Sequence, residues 1–286
     1  MAAGAESPSF ALLLTTRGRR HELVRLFDSL TFQTYRNFTL YVGDQNAPGV
    51  LDDILGLYAD SLPVKRFMLQ PTGLSRARNA LLPHVREDIV AVPDDDCRYL
   101  KDTLERCAEA FTGYPHVDAF IGRWAECAPR AGGAAEPRPV QRTYGLFRRA
   151  PSITLFFRKK IFDVLRFDES IGIGSPSRFQ SGEDTDLLLR AYARGFVIAR
   201  MSSVVVRHDN GFADTPAALE KIRRYAAGRM ALLRRHRLPL WFRLVNIVYP
   251  LAALPGDCAR ESLRAARCRW AMFCGRAAAL RPDGAL

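Results

Sequence analysis

Ile89–Cys97 reads IVAVPDDDC. An apolar run with β-branched residues, closed by Pro93, predicts a short buried strand. That strand delivers Asp94, Asp95 and Asp96 at its C-terminal end, where open α/β sheets bind their ligands. Three adjacent carboxylates repel one another, so they need a cation or exposure to water. Oxygen ligands of this kind suit Mg²⁺ or Mn²⁺, which one or two carboxylates usually hold together with substrate phosphates. The stretch therefore predicts a divalent-metal site for a phosphorylated ligand. The competing reading is a solvated acidic turn that opens the next helix, where acids are favoured. Its place behind a buried strand favours the metal site.

Upstream, Phe10–Thr16 (FALLLTT) is a second apolar run and the expected central strand, broken by Arg17–Arg20. His21–Thr34 carries Leu23, Leu26, Phe27 and Leu30 at helical spacing. Phe38–Val42 is the next strand and ends in the turn Gly43–Asn46. Leu51–Tyr58 is expected to be helical and Val64–Leu69 a third strand. Gly73–Val85 is a helix weakened at its end by Pro83, and a further helix covers about 100–112. Alternation of β and α predicts a Rossmann-like, doubly wound and mainly parallel sheet. The turns Thr15–Arg19 and Gly43–Asn46 then share one sheet edge with the triple Asp.

Downstream, Phe120–Ala125 has strand character, and Ala128–Gln141 is rich in Pro, Gly and Ala and reads as a mobile loop. Thr154–Phe157 is a strand and Lys159–Leu165 a short helix. Glu183-Asp184-Thr185-Asp186 opens a helix over Leu187–Arg194, with Gly195 suited to its C′ position. Phe196–Met201 and Val204–His208 read as two strands. Asp186 is expected to cap its helix, and Asn79 to cap or bridge loops. Thr215-Pro216 is a helix start, with the N-cap followed by Pro. Leu219, Ile222, Ala226, Met230 and Leu233 form an apolar stripe behind it. Residues 238–255 are apolar but interrupted by Pro239, Arg243, Pro250 and Pro255, and 257–280 form a last basic helix.

The chain of 286 residues is 48% hydrophobic and 25% charged, ordinary for a folded soluble protein. Six cysteines without a CxxC pair read as reduced, buried side chains. The N-terminus lacks a charged region and an apolar core, so no signal peptide is expected. No uninterrupted apolar run reaches the length of a transmembrane helix. The net charge of +12 is uneven: residues 221–286 hold 14 Lys/Arg against 3 Asp/Glu, which leaves the remainder nearly neutral. Such a localised basic segment points to an anionic surface, lipid headgroups or nucleic acid.

Six motifs, taken in order over roughly residues 9–210, resemble the family 2 glycosyltransferases of the GT-A fold. They are LLTTRGR with a helix ending FQTY, FTLYVGDQN, GLSRARN, VPDDDC, FDESIGIG with GEDTDLLLRAYARGF, and VVVRHD. Gly43 departs from the family's frequent first Asp in the second motif. The resemblance implies a GT-A catalytic domain over 9–214, with a nucleotide-sugar half at 9–125 and an acceptor half at 126–214. A tail at 1–8 precedes it, and a basic, amphipathic helical extension at 215–286 follows. It implies inverting transfer of a sugar from a nucleotide-diphospho-sugar, with a UDP-sugar favoured. The acceptor would be a glycan or a lipid-linked hydroxyl in cell-surface polysaccharide synthesis. Thr15, Arg19, Asp44, Arg78, Asp94 and Asp95 are the implied donor-binding residues. Thr15 and Asp44 sit where the family contacts the base. Asp94, Asp96 and His208 are the implied ligands of Mg²⁺ or Mn²⁺. Asp184 is the implied base and Glu183 its acceptor-binding support, although acids here would also serve as helix N-terminal groups. Trp124 is read as stacking on a sugar or as a core residue.

Two other classes compete. A metal-dependent sugar nucleotidyltransferase also uses clustered Asp, but it leaves the Glu-Asp pair and His208 without a role. A basic nucleic-acid-binding protein conflicts with the near-neutral body and the lack of a nucleic-acid motif, so nucleic acid is not an expected partner. The basic extension is instead expected to seat the protein on the cytoplasmic face of a membrane. From Lys221 to Gly256 there are eight Lys/Arg and no acid. Leu240, Trp241, Phe242, Leu244, Val245, Ile247, Val248 and Tyr249 follow as an interfacial or re-entrant segment.

Overall fold

A computed structural model describes residues 7–70, 73–126, 136–147, 150–208, 215–259 and 263–280, the side chains of 255–259 excepted. Most of the N-terminal tail, the first part of the Pro/Gly/Ala-rich stretch, Cys127 and the Cys258 side chain lie outside them. In chain order the elements are β1 (Phe10–Thr16), α1 (Arg20–Thr31), β2 (Phe38–Asp44), α2 (Asp52–Leu57), β3 (Val64–Met68) and α3 (Leu74–Leu81). Then come β4 (Ile89–Ala91), β5 (Cys97–Tyr99), α4 (Thr103–Gly113), β6 (Ala119–Ala125), β7 (Arg138–Pro139), β8 (Leu155–Arg158) and α5 (Ile161–Val164). Last are α6 (Glu183–Ala193), β9 (Ile198–His208), α7 (Pro216–Arg235), α8 (Leu240–Ala259) and α9 (Leu263–Ala278).

The described residues form two compact units. One draws on 1–72, 76–167 and 187–210, the other on 73–75, 168–186 and 211–286. The division does not follow chain order: the segment Asp168–Asp186, read with the catalytic body, groups with the C-terminal helices.

The first unit is a mixed α/β sheet of order β3-β2-β1-β4-β8-β6-β9-β5, with β7 paired to β9. The first four strands are parallel, β8 is antiparallel to β4 and to β6, and β9 is parallel to β6 and antiparallel to β5. Phe10, Leu12 and Leu14 of β1 pack with Leu23, Leu26, Phe27 and Leu30 of α1 and with Leu104, Cys107 and Phe111 of α4. Ala11 and Leu13, which alternate to the other face, are equally buried. Burial on both faces is why this strand reads as an unbroken apolar run.

Two points of the sequence reading are corrected in this unit. The helix expected at about 100–112 is α4, but β5 stands between it and the acids, a strand whose three residues carry no readable period. Phe196–Met201 and Val204–His208 form one strand, β9. Its pairing with β6 shifts register after Ile121↔Arg200 to Arg123↔Val205, so a local irregularity imitates a break. Asn79 bridges loops as expected: its amide donates to the Phe167 carbonyl at 2.8 Å and its Oδ1 accepts from Phe167 N at 2.9 Å.

In the second unit, Thr215 caps α7 by accepting from Ala218 N at 3.3 Å. Ile222, Ala226, Met230 and Leu233 of the expected stripe are buried, and Leu219 is half-buried. α9 packs against both α7 and α8. A Cβ on Gly275 would overlap the Arg223 backbone, so only glycine allows the α7–α9 approach. The interrupted stretch 238–255 corrects to a helix: α8 continues through Pro250 and Pro255. An interior Pro costs roughly 3 kcal/mol, and packing against α7 and α9 outweighs it. Among the described residues, no helix is long and apolar enough to cross a membrane. Cys97 and Cys107 are free and buried, while Cys268 and Cys274 are free and half-buried.

Candidate active site

The parallel strands set the site. β4 ends two residues before Pro93, and Asp94–Asp96 occupy the turn between it and β5. Cys97 of β5 stands opposite His208 of β9, which brings a histidine from far along the chain to the acids. The β1–β2 register places Thr15 opposite Gly43 and Thr16 opposite Asp44 at the same edge.

Each acid has its own partners. Asp94 accepts from Arg78 Nη2 at 3.0 Å and from Ser152 Oγ at 3.0 Å. Asp95 accepts from Thr16 Oγ1 at 2.9 Å and from Arg19 Nη1 at 3.1 Å. Asp96 accepts from the same Arg19 nitrogen at 2.6 Å and faces His208 Nε2 at 3.3 Å. Burial pushes the Asp95 carboxyl up to about 6, against the downward pull of Arg19 and Thr16. Burial also raises Asp96, but the hydrogen bond and charge of His208 and Arg19 outweigh it and hold that carboxyl at about 2. Neighbouring acids thus have opposite environments: Asp95 is tuned toward neutrality, and Asp96 is kept ionised.

Arg78 is fully buried, with its guanidinium 5.3 Å from the centre of the Phe167 ring. It is an internal counter-charge, not a surface helix arginine. Removing it leaves Asp94 without its cation. Arg78→Met should destabilise the fold by about 2–4 kcal/mol, less than a fully buried pair because Asp94 stays one-third exposed. Urea unfolding monitored by circular dichroism would measure this. A variant within 0.5 kcal/mol or so of the parent would show that Arg78 carries no structural load.

Asp44 is fully buried and committed. Its Oδ1 accepts from Asn46 N at 2.9 Å and Nδ2 at 2.7 Å, and its Oδ2 accepts from Arg66 Nε at 3.0 Å and Nη2 at 2.7 Å. Those four bonds fill a carboxylate's acceptor positions. A direct bond from Asp44 to a base N–H therefore does not fit this arrangement. Asn46 also binds the turn that follows β1, its Oδ1 accepting from Gly18 N at 2.7 Å, at a glycine with φ +73°. Thr15 is half-buried beside Gly43.

Among the described residues, no three His, Cys, Asp or Glu side chains are grouped to hold a metal. The expected set of Asp94, Asp96 and His208 is brought together only in part. Asp96 and His208 meet, and such a pair fits a divalent ion whose remaining positions come from donor phosphates. Asp94 is held apart from them by Arg78 and Ser152, one on each of its oxygens. Trp124 lies beside this pair, its ring 6.5 Å from that of His208 and nearly perpendicular to it.

The second unit carries the acidic pair at the start of α6. Glu183 is buried, and Gly172 at φ +99° makes room for it: a Cβ there would lie 2.8 Å from its carboxylate. Asp184 is only partly buried. Asp186, expected as a cap, is instead fully buried and receives His236 Nε2 at 2.8 Å.

Sequence reading missed Thr16, Arg66 and Ser152. Thr16 differs from Thr15 only in which face of β1 it occupies. Arg66 and Ser152 are isolated polar residues on β3 and in a one-turn 3₁₀ helix before β8, with no local signal.

This architecture is shared with solved glycosyltransferases. The chain aligns with S. aureus TarS at TM-score 0.57 and 16% identity, covering 91% of this chain and 89% of that one. A TarS structure with UDP-GlcNAc aligns at TM-score 0.57 and 17% identity, again over 91% and 89%. The mannosyltransferase PcManGT from Pyrobaculum calidifontis, solved with GDP-Man and Mn²⁺, aligns at TM-score 0.66 and 16% identity over 97% and 88%. At these identities the likeness defines the fold, GT-A. No curated protein matches the chain by sequence. The model of glycosyl transferase family 2 matches residues 12–167, more than half the chain, and the protein belongs to that family.

Proposed function

We propose that this family 2 glycosyltransferase moves a sugar, with inversion, from a nucleotide-diphospho-sugar to a hydroxyl of a glycan or lipid-linked acceptor in surface polysaccharide synthesis. The observation that carries the donor side is the acidic turn after β4, with Arg19, Arg78, Thr16 and His208 bonded to its three carboxylates. Similar structures hold UDP-GlcNAc or GDP-Man with Mn²⁺, which supports a nucleotide-sugar and a divalent ion here. Asp96 and His208 would hold Mg²⁺ or Mn²⁺, and the bound ion would offset charge on the departing diphosphate. Arg19 and Arg78 fix the acidic turn, and Asp94 and Asp95 keep those cations at the donor edge. Asp184 takes the proton from the acceptor hydroxyl, and Glu183 supports acceptor binding. The basic C-terminal segment supports a peripheral seat on the inner face of the cell membrane.

Uridine is the proposed base. Thr15 lies at its expected edge, and Asp44 acts on the base through Asn46 and Arg66, which it holds. With Mn²⁺ present, calorimetry should give tighter binding of uridine diphosphate than of guanosine or thymidine diphosphate, by about tenfold or more, or roughly 1.4 kcal/mol. Preference for either other nucleotide would refute the uridine assignment. No diphosphate binding at all would refute the donor site.

A further inference from the structure

Six large apolar residues of α8 stand half or more exposed: Leu240, Trp241, Leu244, Val245, Val248 and Tyr249. Their spacing places them on one side of a helix. The opposite side is engaged within the second unit. Asn246 is buried there, its Oδ1 accepting from Arg229 Nε at 2.8 Å and its carbonyl accepting from Arg276. α8 is therefore a two-sided helix, seated by polar contacts on α7 and α9 and leaving a continuous apolar face outward. A face of this size and regularity exceeds the scattered apolar residues of an ordinary surface.

The surroundings say what covers it. α9, packed alongside, has four arginines and no acid. Its Arg264 and Arg267 are exposed, and its Arg269 lies 5.7 Å over the ring of Tyr249 on the apolar face itself. Trp and Tyr belong where an apolar phase meets water, and exposed arginines beside them match anionic headgroups. We propose that α8 lies in the plane of an anionic lipid surface and inserts the face from Leu240 to Tyr249. This rests on the membrane-seat reading above and deepens it. An in-plane helix follows because a helix seated along one side by polar side chains cannot be surrounded by lipid.

The proposal also changes which forces hold the protein. Arg276 is buried among the helices and Arg229 is half-buried, and both are part of the segment's basic charge. Burial lowers Arg229, while burial and the neighbouring Arg229 bring Arg276 down to about 10. These two do not face lipid. Attachment is therefore led by apolar insertion, with the exposed arginines of α9 supplying preference for anionic surfaces.

The experiment is co-sedimentation of the full chain with vesicles of phosphatidylglycerol and phosphatidylcholine, or of phosphatidylcholine alone. The parent should bind the anionic vesicles. Val245→Glu/Val248→Glu should lower partitioning by at least about tenfold. Trp241→Ala, a milder change, should lower it severalfold. Far-ultraviolet dichroism and uridine diphosphate binding should stay as in the parent, because both valines are half-exposed. If parent and variants partition equally, the face assignment is overturned and the membrane seat stands. If the parent binds no vesicle, the membrane seat itself falls. If the parent is a dimer without lipid and the double variant a monomer, the face belongs to a second copy and the proposal is overturned.

Discussion

Replacing Asp96 with alanine should abolish transfer, by at least about 10³-fold, while the protein stays folded. His208 and Arg19 hold the Asp96 carboxyl down at about 2, and Asp96 is the acid that meets His208. Loss of its charge would remove a proposed ligand for Mg²⁺ or Mn²⁺, an ion that would offset negative charge on the leaving diphosphate by several kcal/mol. Asp96 is itself 30% exposed, so its loss opens no cavity in the core. Asp95→Asn should cost less. An amide can still accept from Thr16, so Asp95 is proposed to position the turn and not to ligate. Initial rates with each variant, with circular dichroism as the folding control, would test the order. Excess chelator should remove the parent's activity, and added Mn²⁺ should restore it. Full activity in chelator, or Asp95→Asn as damaging as Asp96→Ala, would overturn the division of roles.

What the sequence disclosed was set by how local the physics is. β1 and β4 were legible because burial on both faces writes an unbroken apolar run. The acids were legible because they follow β4 directly. β5 was not, since Cys97–Tyr99 is held by pairing with β9, a partner about a hundred residues away. Separation along the chain likewise hid Ser152 from Asp94, 58 residues apart, and Arg66 from Asp44, 22 apart. Thr15 and Thr16 differ only in parity along β1, and parity relative to Asp95 is fixed by sheet packing, which no local pattern encodes. Arg78 read as a donor-binding cation, and its burial stayed hidden because burying a guanidinium is improbable until Asp94 and the Phe167 ring are known to receive it. In α8 the prolines argued for interruption, and helix packing overruled them. The alternation of exposed and buried side chains along that helix then emerged only once its partners α7 and α9 were in place.

Asp184→Asn should cut kcat by about 10²–10⁴-fold, with donor affinity nearly unchanged. An inverting transfer needs a group that accepts the acceptor hydroxyl's proton as the oxygen attacks, and the amide of asparagine cannot do so. The two acids that open α6 differ in a way that selects between them. Glu183 is buried against Gly172, where even a Cβ would collide, so its carboxylate is fixed and enclosed. Asp184, the next residue, is only partly buried and can meet a hydroxyl that arrives from outside. The variant keeps size and shape, so its unfolding midpoint should match the parent's. Glu183→Gln should behave differently, raising the acceptor KM and lowering stability more than it lowers kcat. Near-normal transfer by Asp184→Asn would refute its role as base. A loss of kcat in Glu183→Gln equal to that expected for Asp184→Asn, with stability intact, would move the base to Glu183.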